Sequence, residues 1–487
     1  MIDNIIDKIA KGVAYNAISR ILIVAIQAVT SVALARILSS SDYGIFAFAG
    51  IFMSFFSQFS DFGLSSALIQ RKNLEKSAIN TAFTIRNLAA LVIVLLAIII
   101  SFIVPIFYEY PNIAWIIRLL ALNFILNSFG FISATLLKRD LNFVGLNLAT
   151  LISTITGSCI SVYLAYNGYG YWSLVIASII STLVHTSLIC LLKPCKLKYE
   201  LNVNEYYKLW NYGGSLFISG IMAYVIFNGG NFIVGSVQGA SALGIFSIAL
   251  DWGTKIPTVL SVTVISVLFP AFSRIIDDVK MLTDTYIGTL QYVSFISILA
   301  NITLICVAED FLVSILGGGT DKWIQATNCL RILCLYGIVR SVLEPVGSVV
   351  MALGETRVLL KAVTVAAAVQ SVLLYPVLLL FDVEGVALLI LASYSMQYPI
   401  YFKFLERRIG ISPISFFRAV SKPLMCSVTF AVLYLVIEAS IINKSSALTV
   451  LKMIIYAVVY IVAYGYVTKF KFLNDFRLRT RNIPCAK

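Results

Sequence analysis

The sequence is poor in charge. Asp, Glu, Lys and Arg make up 12% of its 487 residues, against 60% hydrophobic, whereas soluble domains carry about a quarter charged residues. It has one histidine, His185, set in an apolar run, which argues against a histidine-based active site. Its eight cysteines (159, 190, 195, 306, 329, 334, 426 and 485) contain no Cys-x-x-Cys pair and read as free thiols, with no metal site and no disulfide framework. No polar stretch is long enough for a soluble domain. With a mean hydropathy of +0.94, a chain of this length has too much apolar surface to hide from water. Lipid is the solvent that accepts it.

What is present is long apolar runs. A span needs about 20 apolar residues to cross hydrocarbon roughly 30 Å thick. That rule places helices near 13–37, 44–69, 79–103, 112–137, 143–166, 170–192, 211–236, 242–269, 285–307, 328–352, 358–381, 385–404, 416–440 and 448–469. The net charge of +13 is then read as loop bias and not as a nucleic-acid footprint. One set of loops holds Arg71, Lys72, Lys76, Lys138, Arg139, Lys193, Lys196, Lys198, Lys208, Arg274, Lys280, Arg357, Lys361, Lys403, Arg407 and Arg408, and the tail adds more. The opposite set holds Lys322 and Lys444, with Lys452 near a helix end. Lys/Arg excess marks the cytoplasmic side, so both termini are expected there. Met1–Gly12 lacks a small-residue cleavage site and reads as an interfacial helix. The longest external connection, about 309–327, leaves no room for a catalytic domain.

An internal repeat appears at an offset of 200 residues. Ser41–Ala49 (SDYGIFAFA) aligns without gaps on Ser241–Ala249 (SALGIFSIA), and each copy opens the second helix of its half. An offset of six helices implies two like-oriented halves, an architecture known in transporters. The expectation is an all-α integral membrane protein of about fourteen transmembrane helices. It comprises pseudo-symmetric six-helix lobes at 1–200 and 201–410, and two further helices with a basic tail at 411–487.

Charges inside hydrocarbon cost about 2.5–3.5 kcal/mol each on insertion scales and mark functional sites. Arg20, Arg36, Asp61, Arg86, Arg118, Asp251, Lys255, Arg331, Arg340 and Glu344 lie within or near spans. Arg36 can snorkel, and for Arg118 and Arg331, near outer helix ends, snorkelling and a site role both stand. At about 1.5 Å per residue, Arg20, Arg86, Asp61 and Glu344 fall in one layer of the inner half. Asp251–Lys255 and Arg340–Glu344 are i, i+4 pairs, either structural or part of a site. Polar stripes run through Asn16, Arg20, Gln27 and Ser31; Ser54, Ser57, Gln58, Asp61 and Ser65; Ser215, Ser219, Asn228 and Asn231; and Ser247, Asp251, Thr254, Lys255 and Thr258. A stripe is commonly a helix contact. Four on repeat-related helices also fit the wall of a hydrated cavity.

The runs Leu34–Phe46 (LARILSSSDYGIF), Asp61–Arg71 (DFGLSSALIQR), Leu136–Phe143 (LLKRDLNF), and Leu243–Ala249 followed by Pro257 and Leu268–Ser273 (LFPAFS) resemble signatures of a known family. It is the Wzx-type polysaccharide repeat-unit flippases of the multidrug/oligosaccharidyl-lipid/polysaccharide exporter superfamily. The resemblance implies a non-enzymatic flippase in a bacterial cytoplasmic membrane. It would move undecaprenyl-diphosphate-linked oligosaccharide to the outer leaflet by alternating access, for surface polysaccharide such as O-antigen. The expected partners are that substrate, membrane lipids, and polysaccharide polymerase and chain-length proteins, with no nucleic acid. A diphosphate takes fork-like bonds from Arg and a point charge from Lys. On that basis Arg20, Arg86, Lys255, Arg340 and Arg118 are candidate diphosphate ligands. Gln27, Gln58, Asn228 and Asn231 are candidate glycan contacts. No cofactor or metal is expected beyond a coupling H+ or Na+, for which Asp61, Asp251 and Glu344 are candidates. The alternatives are a cation-coupled drug exporter, disfavoured by the basic layer, a peptidoglycan-precursor flippase, and a membrane polymerase or ligase.

Overall fold

The computed structural model describes residues 2–61, 64–70, 75–107, 110, 112–140, 142–202, 224, 226–275, 278–438 and 446–467. Among these residues every regular element is a helix. Lipid cannot bond a backbone N–H or C=O, and a helix satisfies both within itself. In order the helices are α1 Ile2–Ile37, α2 Ser40–Asp61, α3 Leu64–Gln70, α4 Lys76–Phe107, α5 Ile113–Arg139, α6 Phe143–Tyr166 and α7 Trp172–Leu192. After α8 at 226–237 come α9 Gly239–Arg274, α10 Val279–Cys306, α11 Ala308–Asp310, α12 Thr327–Ala352, α13 Thr356–Ser395, α14 Tyr398–Ile409, α15 Pro413–Glu438 and α16 Ser446–Val467. Ten described segments are long and apolar enough to cross a membrane.

Several ends are fixed locally. The Asn142 side chain accepts from Gly145 N–H at 3.1 Å to open α6, and Asp278 accepts from Met281 N–H at 2.9 Å to open α10, both helix N-caps. Gly410, at φ 67°, closes α14 in the left-handed conformation that costs glycine little.

The span expected at 44–69 falls on α2 and α3, and residues 62–63 between them lie outside the described residues. One boundary differs from the sequence expectation. The span expected at 385–404 is instead shared between the second part of the 40-residue α13, which ends at Ser395, and α14, with a turn at Met396–Gln397. A straight α13 would run about 60 Å, twice the hydrocarbon thickness. Asp382, at φ 57° and ψ −159°, is non-helical and divides α13 into two helices at the break expected between 381 and 385. The external connection is helical, with a π-turn at Phe311–Leu316 and a 3-10 turn at Asp321–Ala326.

The chain packs as two compact units, residues 7–247 and residues 248–487 with 1–6. In the first, α4 packs on α5, α5 on α7 and α6 on α7, while Leu91, Val92, Leu95, Leu96 and Ile99 form an exposed ridge on α4 of the kind lipid covers. In the second, Phe272, Tyr286, Leu290, Val346, Leu405 and Phe416 centre a core shared by α9, α10, α12, α14 and α15.

Candidate functional site

In the unit of residues 248–487, α9 and α12 touch backbone to backbone. A Cβ added at Gly253 would lie 2.9 Å from the Leu333 carbonyl carbon, and one at Gly337 2.5 Å from Gly253 O and 2.8 Å from Asn301 Oδ1. Both predicted ion pairs flank this crossing. Lys255 Nζ pairs with the Asp251 carboxylate and lies 4.8 Å over the Trp252 ring. The Lys255 side chain is 15% exposed and that of Asp251 52%, so the carboxylate takes the open side. One helix away, Arg340 Nε stands 3.7 Å from Glu344 Oε1, beside the edge-to-face rings of Tyr336 and Tyr394. Sequence reading missed Trp252 and the glycine pair. The signal was present: Gly253 lies between the members of one ion pair, and Gly337 one turn before the other.

In the unit of residues 7–247 the candidates separate by environment. Arg86 is 6% exposed; its guanidinium donates to the Ser60 carbonyl and lies 5.5 Å from the Phe131 ring centroid. It therefore ties α4 to the end of α2. Arg20 is partly buried, with Nε bonded to nothing among the described residues. Gln27 is exposed, Gln58 Nε2 donates to Ser54 O at 3.4 Å, and Asn228 Nδ2 donates to Tyr224 O at 3.3 Å. Among the described residues, Asn231 Oδ1 is buried with no hydrogen-bond partner. Arg118 is placed elsewhere: Nε donates to Ser101 Oγ at 2.8 Å, and the guanidinium stacks on Phe102 at 4.3 Å and Trp115 at 5.0 Å. Both rings are more than half exposed, so Arg118 belongs to the aromatic periphery. The side chains of Asp61 and Asn16, and residues Ser215 and Ser219, lie outside the described residues. The lone His185 contacts Thr150 Oγ1 at 3.4 Å, a helix-to-helix contact.

A further polar stripe, on α4, went unread in the sequence. After α7 the chain runs non-helically through residues 194–202 along the first turns of that helix. Lys198 N–H donates to Asn80 Oδ1 at 3.2 Å, Glu200 N–H to Thr84 Oγ1 at 2.9 Å and Asn202 N–H to Thr81 Oγ1 at 3.1 Å. The alternation is that of an extended chain presenting every second residue. The Glu200 carboxylate accepts from Asn80 Nδ2 at 2.8 Å and Ser77 Oγ at 3.0 Å, and these bonds hold its carboxyl below the usual range. Tyr199 packs on Phe83 with ring centroids 5.3 Å apart. At the start of this strap, the hydrogen bond and charge of Asp140, 2.7 Å away, push the Lys193 ammonium up.

Residues 33–328 match the family described as polysaccharide biosynthesis protein. The chain belongs to that family. The match covers more than half of the 487 residues and runs from the end of α1 to the start of α12. Among the relatives of this polysaccharide biosynthesis protein is the lipopolysaccharide biosynthesis protein WzxC of Escherichia coli (strain K12), 24% identical over 71% of this chain and 70% of its own. The succinoglycan biosynthesis transport protein ExoT of Rhizobium meliloti (strain 1021) is 24% identical over 67% and 66%. Among solved structures, the lipid II flippase MurJ in an inward closed conformation superposes with a TM-score of 0.74 at 17% identity, covering 94% of this chain and 99% of that one. An inward-facing MATE-family multidrug transporter superposes at 0.62 with 14% identity, over 81% and 98%. The fold is therefore shared with these two solved structures.

Proposed function

We propose that this polysaccharide biosynthesis protein is a flippase, moving lipid-linked oligosaccharide repeat units across the cytoplasmic membrane by alternating access. Membership of the family, on a chain with ten described segments long and apolar enough to cross a membrane, carries this reading. The name of the succinoglycan biosynthesis transport protein ExoT supports transport as the role within that family. The chain is a carrier and not an enzyme. The reading takes undecaprenyl diphosphate as the carrier lipid, with both termini cytoplasmic and with polymerase and chain-length proteins receiving the product. Drug export is not favoured, because the matched family is one of polysaccharide biosynthesis. A peptidoglycan-precursor substrate asks for the same diphosphate ligands.

Of the candidate ligands, Lys255 and Arg340 on α9 and α12, and Arg20 on α1, have the environment of a substrate site. Each offers N–H donors from a partly buried position, where a charge-assisted bond is strong. Gln27, Gln58, Asn228 and Asn231 supply amides for the glycan. Asp251 and Glu344 each stand beside a cation, which leaves Asp61 as the H+ or Na+ coupling candidate. Complementation of a flippase-null strain tests the reading. Wild type restores surface polysaccharide, Lys255→Gln and Arg340→Gln restore little, and Lys255→Arg restores more. Full complementation by Arg20→Gln, Lys255→Gln and Arg340→Gln alike at normal abundance would remove the diphosphate site. Retention of ion-driven transport by Asp61→Asn would remove the coupling assignment.

A further inference from the structure

The two copies of the sequence repeat meet in space. Within the unit of residues 7–247, the opening turn of α2 lies against the opening turn of α9. A Cβ added at Gly44 would overlap the Ala240 carbonyl oxygen and lie 3.0 Å from the Ala240 Cα. A Cβ at Gly244 would overlap the Ser40 carbonyl oxygen, 2.8 Å from the Ser40 carbonyl carbon and 3.1 Å from Gly44 N. Under the 200-residue offset, 44 against 240 and 244 against 40 are one contact made twice, the reciprocity of a two-fold, self-complementary contact. Ser40 Oγ and Ser241 Oγ share a hydrogen bond at 2.9 Å. Below the crossing, Ile45, Phe48, Leu243 and Phe246 are all at most 4% exposed. Phe48 stands edge-on to Tyr110 at 5.0 Å, and the Tyr110 hydroxyl donates to the Gly235 carbonyl. Neither Gly44 nor Gly244 has a positive φ. Glycine weakens a helix relative to alanine, and close approach is what it permits here.

We infer that Gly44 and Gly244 are positioning residues for transport. Their missing Cβ atoms let α2 and α9 close on each other at the helix ends that the charge bias makes external, and this crossing parts when the pathway opens outward. The inference rests on alternating access as the mode of transport. The obstacle to a Cβ is a backbone carbonyl, so no side-chain change opposite relieves it; only separation of the helices does. A ligand or mutation shifts a conformational equilibrium through its different effect on the two states, and alanine at either position penalises the closed state alone.

The reporter is the Phe48→Cys thiol in an otherwise cysteine-free protein, labelled from outside intact cells with an impermeant maleimide. Gly44→Ala and Gly244→Ala are each expected to raise labelling about tenfold, a shift of about 1.4 kcal/mol in the equilibrium. Gly50→Ala lies on the same helix with nothing within 4 Å of its added Cβ, and is expected to leave labelling at the parent level. Labelling unchanged in well-expressed Gly44→Ala and Gly244→Ala proteins overturns the inference. A second measurement needs neither alanine variant to fold. Oxidising Ser40→Cys with Ser241→Cys holds the crossing shut, and is expected to stop transport until reductant is added. Undiminished transport by fully cross-linked protein overturns the inference equally. Accessibility that responds as expected in a protein that moves no lipid-linked oligosaccharide counts against the transport reading and leaves the crossing standing.

Discussion

Asp310 is 2% exposed and Lys452 8%, and their 2.6 Å ion pair joins α16 to the start of the π-turn in the external connection. Removing one member of a buried pair strands a charge, at a cost of about 3–5 kcal/mol, whereas replacing both by apolar groups is often neutral. Asp310→Ala is therefore expected to lower the melting temperature and the abundance of the protein sharply. Joint replacement, Asp310→Leu with Lys452→Leu, is expected to recover most of that loss in a thermal-shift assay. A single variant as stable as wild type would show that the pair holds nothing. Burial likewise separates two of the basic candidates. Arg86 ties α4 to the Ser60 carbonyl from a position 6% exposed, and losing a charged hydrogen bond costs about 1.5–3 kcal/mol. Arg86→Gln should then reduce protein level and transport together. Lys255→Gln leaves behind an Asp251 that is 52% exposed and solvated, so abundance should hold while transport falls. Immunoblots beside complementation separate the two outcomes.

At the scale of the element, the strap of residues 194–202 on α4 gives a pH-dependent expectation. Hydrogen bonds from Asn80 and Ser77 lower the Glu200 pKa from its ordinary value of 4.5. A group with a lowered pKa in the docked state stabilises docking above its free-state value, and that stabilisation is lost as pH falls through the lowered value. Amide exchange at Lys198, Glu200 and Asn202 should therefore stay slow at neutral pH. After correction for intrinsic rates, protection should weaken only on acidification below about 4.5. Glu200→Gln should abolish that dependence and keep the backbone bonds. Protection equally strong at pH 3 and pH 7 would contradict it. Most helices were legible in the sequence, because about 20 apolar residues between charged loops have few other outcomes. The exceptions have physical causes. The turn at Met396–Gln397 was missed because it interrupts a run that reads as one span from 385 to 404. The stripe Ser77, Asn80, Thr81 and Thr84 was missed because its partners lie some 116–125 residues away. The i, i+4 ion pairs were legible because both partners sit on one helix. That Arg118 lies against Phe102 and Trp115 was not, because it depends on which neighbours cover α5.

For the whole molecule, the 200-residue offset was visible as a short match of Ser, Gly, Ile, Phe and Ala. What those residues are for was not visible, because a glycine's purpose lies in the atom that approaches it. Ala240 O and Ser40 O explain Gly44 and Gly244 in a way that composition cannot. The fold, the family and the buried cations together make transport of a lipid-linked anion the central claim. The measurement that tests it most directly is translocation in proteoliposomes. Purified protein is reconstituted with a fluorescent undecaprenyl-diphosphate oligosaccharide in the inner leaflet, and arrival at the outer leaflet is read by a membrane-impermeant quencher. The account predicts protein-dependent quenching under an imposed ion gradient, strongly reduced by Lys255→Gln and by the oxidised Ser40→Cys, Ser241→Cys pair. Quenching no faster than in protein-free vesicles, from protein that is folded and correctly inserted, would contradict it.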